Sequence, residues 1–86
     1  MPGSCSVFIK RSAERELRRL PKVDLRRVMR KVENLALEPR PIGSEKLFED
    51  NAYRVRQGDN RIIYTIDDRR RVVEVYKVGH RCEVYR

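Results

Sequence analysis

Apolar and polar positions change period along this 86-residue chain, and each period predicts a different element. Residues 5–10, Cys-Ser-Val-Phe-Ile-Lys, form a β-branched and aromatic run of strand length. Ser12 is placed to cap a helix, because Ala13, Leu17 and Leu20 then recur at i, i+4 and i+7 on one face. Pro21 stops that helix or opens the next turn. From Asp24 onward, Leu25, Val28, Met29, Val32, Leu35 and Ala36 make a stronger amphipathic stripe. Glu38 precedes Pro39 and is pushed out of the α region, so this second helix is expected to run up to it. Residues 39–43, Pro-Arg-Pro-Ile-Gly, read as a stiff connector.

The period then becomes two. After the short apolar run Lys46-Leu47-Phe48 and a turn at Glu49-Asp50-Asn51, Tyr53 and Val55 alternate with Arg54 and Arg56. Successive strand side chains change sides, so the two arginines share one face. Gln57-Gly58-Asp59-Asn60 supplies hairpin chemistry. On the return strand Ile62, Tyr64 and Ile66 share a face, leaving Arg61, Ile63 and Thr65 on the other. Residues 67–70, Asp-Asp-Arg-Arg, make the next turn, and residues 72–78 form a further strand. The order strand, helix, helix, then three or four strands predicts an α+β fold. Its two-helix hairpin packs on one face of a mostly antiparallel sheet.

Length limits this design to one small domain spanning residues 1–86, whose core is too small to enclose a deep site. Any site is therefore an open groove. Charge changes the picture further: the chain carries 21 Lys and Arg against 13 Asp and Glu, and sixteen of the basic residues are arginine. Guanidinium forks suit phosphate and carboxylate, so the partner implied is nucleic acid or an acidic protein segment. Residues 1–44 hold eleven basic and five acidic side chains, which makes the helical half a docking and steering surface.

Cys5 and Cys82 have no metal-ligand spacing, and His80 is the only histidine, so no metal site or cofactor is expected. The amino-terminal residues lack a signal pattern and no stretch has the length of a membrane span, which points to a cytoplasmic protein with free thiols. A Cys5–Cys82 bridge requires the first and last strands to be neighbours.

The helix-free sheet face is where chemistry is expected. Arg54, Arg56 and Arg61 project there from adjacent strands, and the closing run Val78-Gly79-His80-Arg81-Cys82-Glu83-Val84-Tyr85-Arg86 brings His80, Arg81 and Tyr85 close behind. Cleavage of RNA without a metal needs a base for the 2′-hydroxyl proton, positive charge at the phosphate and an acid for the leaving 5′-oxygen. Arginine supplies the charge but not the proton transfer. Proton transfer is left to Tyr85, whose phenolate neighbouring guanidinium groups favour, or to His80, which titrates near neutrality.

These residues carry a resemblance. Tyr53-Arg54-Val55-Arg56, residues 58–64 (Gly-Asp-Asn-Arg-Ile-Ile-Tyr) and residues 78–85 resemble the RelE/ParE superfamily of bacterial and archaeal toxins, its RelE branch in particular. The resemblance implies a microbial RNase-like fold and an endoribonuclease that cuts messenger RNA in the ribosomal decoding site by 2′-hydroxyl attack. It also implies an acidic antitoxin that binds and inhibits the toxin in a hetero-oligomer. Arg61 and Arg81 become ligands of the phosphate and transition state, and Tyr85 the stacking or proton-transfer residue. Arg54 and Arg56 fall where well-studied members carry lysines, which keeps the charge and shifts proton transfer to Tyr85 or His80. Some relatives continue into a short terminal helix; an end at Arg86 leaves the groove more open. The alternative implied by the ParE branch is inhibition of DNA gyrase by binding, without nuclease activity, although those members generally lack the full arginine and tyrosine set.

Overall fold

The structure, a computed structural model, describes residues 4–47 and 51–80. Phe48, Glu49 and Asp50 of the expected apolar run and turn lie outside the described residues, as do Arg81, Cys82 and Tyr85.

Strand β1 (Ser6–Ile9) leads into helices α1 (Arg11–Arg18) and α2 (Lys22–Asn34), followed by β2 (Glu45–Lys46), β3 (Ala52–Gln57), β4 (Asn60–Asp67) and β5 (Val72–His80). The strands make one sheet in the order β1-β5-β4-β3-β2. Among the described residues only β1 and β5 pair in parallel, and the chain between them carries both helices. The remaining pairs are antiparallel.

Both helices lie on one sheet face, and the two periodicities meet there. Ala13 and Leu17 of α1 and Val28 and Val32 of α2 pack with Leu35 against Val55, Ile62, Tyr64, Ile66, Val73, Val75 and Val78. Every strand residue in this core alternates with one facing the other way, apart from a shift at the β5 bulge. Full burial of one such aliphatic side chain contributes about 1.5–3 kcal/mol, which is how so short a sheet holds the hairpin.

Local chemistry moves some boundaries. Lys10, not Ser12, is the N-cap of α1, with extended backbone and no side-chain cap bond. Its carbonyl accepts the Glu14 N–H at 2.9 Å. Pro21 caps α2 with its own carbonyl, bonded to the Leu25 N–H at 2.8 Å. The second helix ends at Asn34 rather than approaching Glu38. A proline ring clashes with the carbonyl four residues earlier, so Pro39 acts on Leu35 as well as on Glu38. Residues 35–38 leave the helix through short-range bonds such as Leu37 N–H to the Asn34 carbonyl at 3.1 Å.

Four described residues, Gly43, Asn51, Gly58 and Arg71, have positive φ. Gly58, at 62°, opens the two-residue β3–β4 loop at the position where a type II′ hairpin places glycine. Arg71, at 56°, closes the turn before β5, in which the Asp67 carboxylate accepts the Arg70 N–H at 3.0 Å.

The connector is pinned to the sheet by a polar cluster. The Tyr64 hydroxyl donates to the Pro39 carbonyl at 2.8 Å, and the Tyr64 ring stacks on Tyr53 with centroids 6.0 Å apart. Arg40 donates from Nε to the Tyr53 hydroxyl at 3.0 Å and grips Asp68 with both terminal nitrogens at 3.1 and 2.8 Å. Burial pushes the Tyr64 phenol up to about 12. Among the described residues, no helix is long and apolar enough to cross a membrane.

Candidate active site

The three arginines of the central hairpin meet on the helix-free face. Arg54 and Arg56 alternate with Tyr53 and Val55, and the antiparallel register sets Arg56 directly opposite Arg61 and Arg54 opposite Ile63. On its other side Arg61 faces Gly79, which raises no side chain. Arg54, Arg56 and Arg61 line a groove of about 430 Å³ together with Gly43, Ser44 and Glu45. Their exposure is graded: Arg56 is exposed, Arg54 is half-buried and Arg61 is 4% exposed. Arginine keeps its charge even when buried, and charge acts more strongly where water is excluded. The groove therefore offers an anion three arginines from two adjacent strands.

Glu45 is the residue that sequence reasoning missed. The two-residue strand β2 sets it opposite Arg54, whose Nε donates to Glu45 Oε1 at 3.2 Å while Nη2 donates to the same oxygen. The Arg54 hydrogen bonds first, then the charges of Arg54, Arg56 and Arg61, hold the Glu45 carboxyl below the usual carboxylate range. A strand of two residues has too little alternation to be legible, so nothing in the linear sequence distinguished Glu45 from any surface glutamate.

The structure separates His80 from the arginines. Along β4 and β5 the register shifts between Ile63 and Tyr64, which face Lys77 and Val75, so Tyr76 is an extra residue. Before this bulge Val73 and Val75 point into the core; after it Val78 does. Uninterrupted alternation from Val75 would have set His80 on the arginine face, and the extra residue reverses it. His80, level with Asn60, lines a different cavity of about 610 Å³ with Glu16, Arg19, Asp24 and Asp59 beside the helix hairpin. His80 thus lines a cavity other than the one lined by Arg54, Arg56 and Arg61.

Glu16 of α1 fastens that side. Its Oε1 accepts the Val78 backbone N–H at 2.8 Å, and its Oε2 lies 4.0 Å from Lys77 Nζ. β1 ends its pairing at Val75, so the helix takes over the exposed edge of β5 at that point.

The family model described as the ParE toxin of the type II toxin-antitoxin system, parDE, matches residues 7–85. The chain belongs to the RelE/ParE toxin superfamily. Solved relatives agree with this membership. The archaeal RelE-RelB complex from Pyrococcus horikoshii contains a chain 29% identical, with a TM-score of 0.84 over 93% of this chain and 98% of that one. The RelBE2 toxin-antitoxin complex from Mycobacterium tuberculosis contains one 28% identical, with a TM-score of 0.80 over 91% and 99%. The isolated RelE toxin of E. coli shares the fold, with a TM-score of 0.79 at 23% identity over 95% and 92%. Comparison with the curated proteins finds no match. In this RelE/ParE toxin, both helices and the arginine-bearing strands fall within the family match.

Proposed function

We propose that this type II toxin is a ribosome-dependent, metal-independent endoribonuclease that cuts messenger RNA in the decoding site by attack of a 2′-hydroxyl on the adjacent phosphate. The observation that carries this reading is the groove in which Arg54, Arg56 and Arg61 converge from adjacent strands. The pentacoordinate phosphorane gains negative charge, and preorganised cations aimed at it lower the barrier. Arg61 and Arg56 serve that role here, with Arg81 joining them by family resemblance.

Proton transfer divides between Glu45 and Tyr85. Clamped by Arg54, the Glu45 carboxylate is ionised but a weak base, since basicity falls with pKa. A scissile phosphate competes for the Arg54 fork, and its arrival frees Glu45 and raises its basicity toward the 2′-hydroxyl. Tyr85 stacks on the substrate or protonates the leaving 5′-oxygen. His80, beside the helices, is left outside this scheme.

An acidic antitoxin is the proposed inhibitor, in a toxin-antitoxin hetero-oligomer. Two solved relatives are toxin-antitoxin complexes, and the basic helices and groove complement an acidic segment. The second reading, gyrase inhibition, is favoured by the ParE description of the matching family model.

One paired assay separates them. Message ends from ribosomes exposed to the protein should show cuts in the decoding site carrying 2′,3′-cyclic phosphates, abolished by Arg81→Ala or Tyr85→Phe. Intact messages with blocked DNA supercoiling select the gyrase reading.

A further inference from the structure

Two aromatic rings lie in the open on the same sheet face as the arginines. Val7 and Ile9 of β1 pack against the core, so Ser6 and Phe8 face away from the helices, and Phe8 is 57% exposed. Phe8 is level with Glu74, and two residues further on, just past the last pair of Ile9 with Val75, come Lys10 and Tyr76. Tyr76, the extra residue of the bulge, is 41% exposed, and Lys10 Nζ sits 4.9 Å from the centroid of its ring. Neither ring contributes to the core cluster. Phe8 and Tyr76 thus keep only part of the burial that ordinarily favours aromatics on a strand.

Their position relates them to the groove. Tyr76 falls in the bulge between the Val75–Tyr64 and Lys77–Ile63 pairs, Ile63 is opposite Arg54, and further along is the row of Gly79, Arg61 and Arg56. Arg61 is one strand across from Gly79, three residues beyond Tyr76, which makes roughly 10 Å between backbones by standard sheet spacings. Gly79, itself buried, adds no side chain between them. Phosphates are drawn to the arginine end, while at the aromatic end the charges of Lys10 and Glu74 offset each other. A single-stranded RNA has this polarity of needs, a charged backbone flanked by bases whose faces stack on any ring.

We infer that Phe8 and Tyr76, with Lys10 steadying the tyrosine ring, form a base-stacking platform that holds unpaired RNA bases beside the phosphate-binding groove. This rests on the nuclease reading for the identity of the ligand, and it adds binding residues on β1 and β5 that lie outside the arginine, glutamate and tyrosine machinery.

The test compares a short single-stranded RNA with a ribose-phosphate oligomer of equal length lacking bases, each titrated against the full chain. Wild type should bind the RNA about tenfold more tightly, and Phe8→Ala or Tyr76→Ala should erase most of that preference. Tyr76→Trp should restore it. Arg56→Ala should weaken both oligomers alike. Equal binding of the two oligomers by wild type, or a preference untouched by both alanine variants, overturns the platform. If Arg56 dependence and message cleavage then persist, the nuclease reading survives alone. Base preference without cleavage on ribosomes leaves the platform and removes the nuclease. Failure of wild type to bind either oligomer overturns the platform, as does a wild-type dimer in sedimentation that Phe8→Ala dissociates, which would make the rings a contact between copies.

Discussion

Arg56 and Arg61 stand directly opposite each other across the β3–β4 pair, one exposed and the other buried, both on the helix-free face. Like charges in facing strand positions oppose folding, by a few tenths to about 1 kcal/mol. A β-branched residue at the exposed partner would suit the strand better. Arg56→Thr is therefore expected to raise stability by about 0.5 kcal/mol in urea unfolding while lowering message cleavage at least tenfold. Loss of both stability and activity would show that the pairing is not repulsive.

Glu45→Gln keeps the shape of the Arg54 partner and removes the base. Cleavage at saturating ribosomes should fall about 100-fold, in the range general-base removal produces. The Glu45 carboxyl is held low in the free toxin, so wild-type kcat/KM, which reports the free toxin, should decline as pH falls toward that carboxyl's titration. The variant should lack this acid limb, and an unchanged pH profile in Glu45→Gln assigns the base elsewhere.

Tyr64→Phe removes the bond to the Pro39 carbonyl and leaves that acceptor without its phenolic donor. The cost expected in urea unfolding is about 1 kcal/mol. Wild-type stability also carries a pH signature. The folded phenol is raised from 10.0 to about 12, so the native state binds its proton more tightly than the unfolded chain does. Its contribution is complete below pH 10 and is lost as pH rises through 10 to 12. The phenylalanine variant should lose that Tyr64-linked component of the alkaline decline.

Glu16→Ala deprives the Val78 N–H of its carboxylate acceptor where β5 passes beyond β1. Hydrogen bonds to charged groups contribute about 1.5–3 kcal/mol, and partial access of water here sets the expected loss near the lower end. The Val78 amide should exchange faster in the variant, and Glu16→Gln should recover most of the protection. Equal exchange in all three proteins would remove Glu16 as the anchor of the α1 contact.

Much of this arrangement was legible in the chain before folding. The i, i+3, i+4 stripe of Leu25, Val28, Met29 and Val32 specified α2, and the alternation from Tyr53 to Arg56 and from Arg61 to Ile66 assigned three arginines to one face. Each depends only on helical or strand geometry acting within a few residues. The end of α2 was less legible, because the reach of Pro39 back to Leu35 counted for more than the apolar stripe that continued past it.

Other features depended on which strands became neighbours. The parallel union of β1 with β5, the pairing of Glu45 with Arg54 through a two-residue strand, and the meeting of Lys10 with Tyr76 join residues far apart in the chain. No local period carries that information. His80 shows the difference most directly: the closing run grouped it with the arginines, and one extra residue at Tyr76 turns it toward the helices. The sequence by itself determined which side chains share a face within each regular run. Only the tertiary structure decided which runs lie side by side and where a bulge reverses the count, because both are selected by packing between elements.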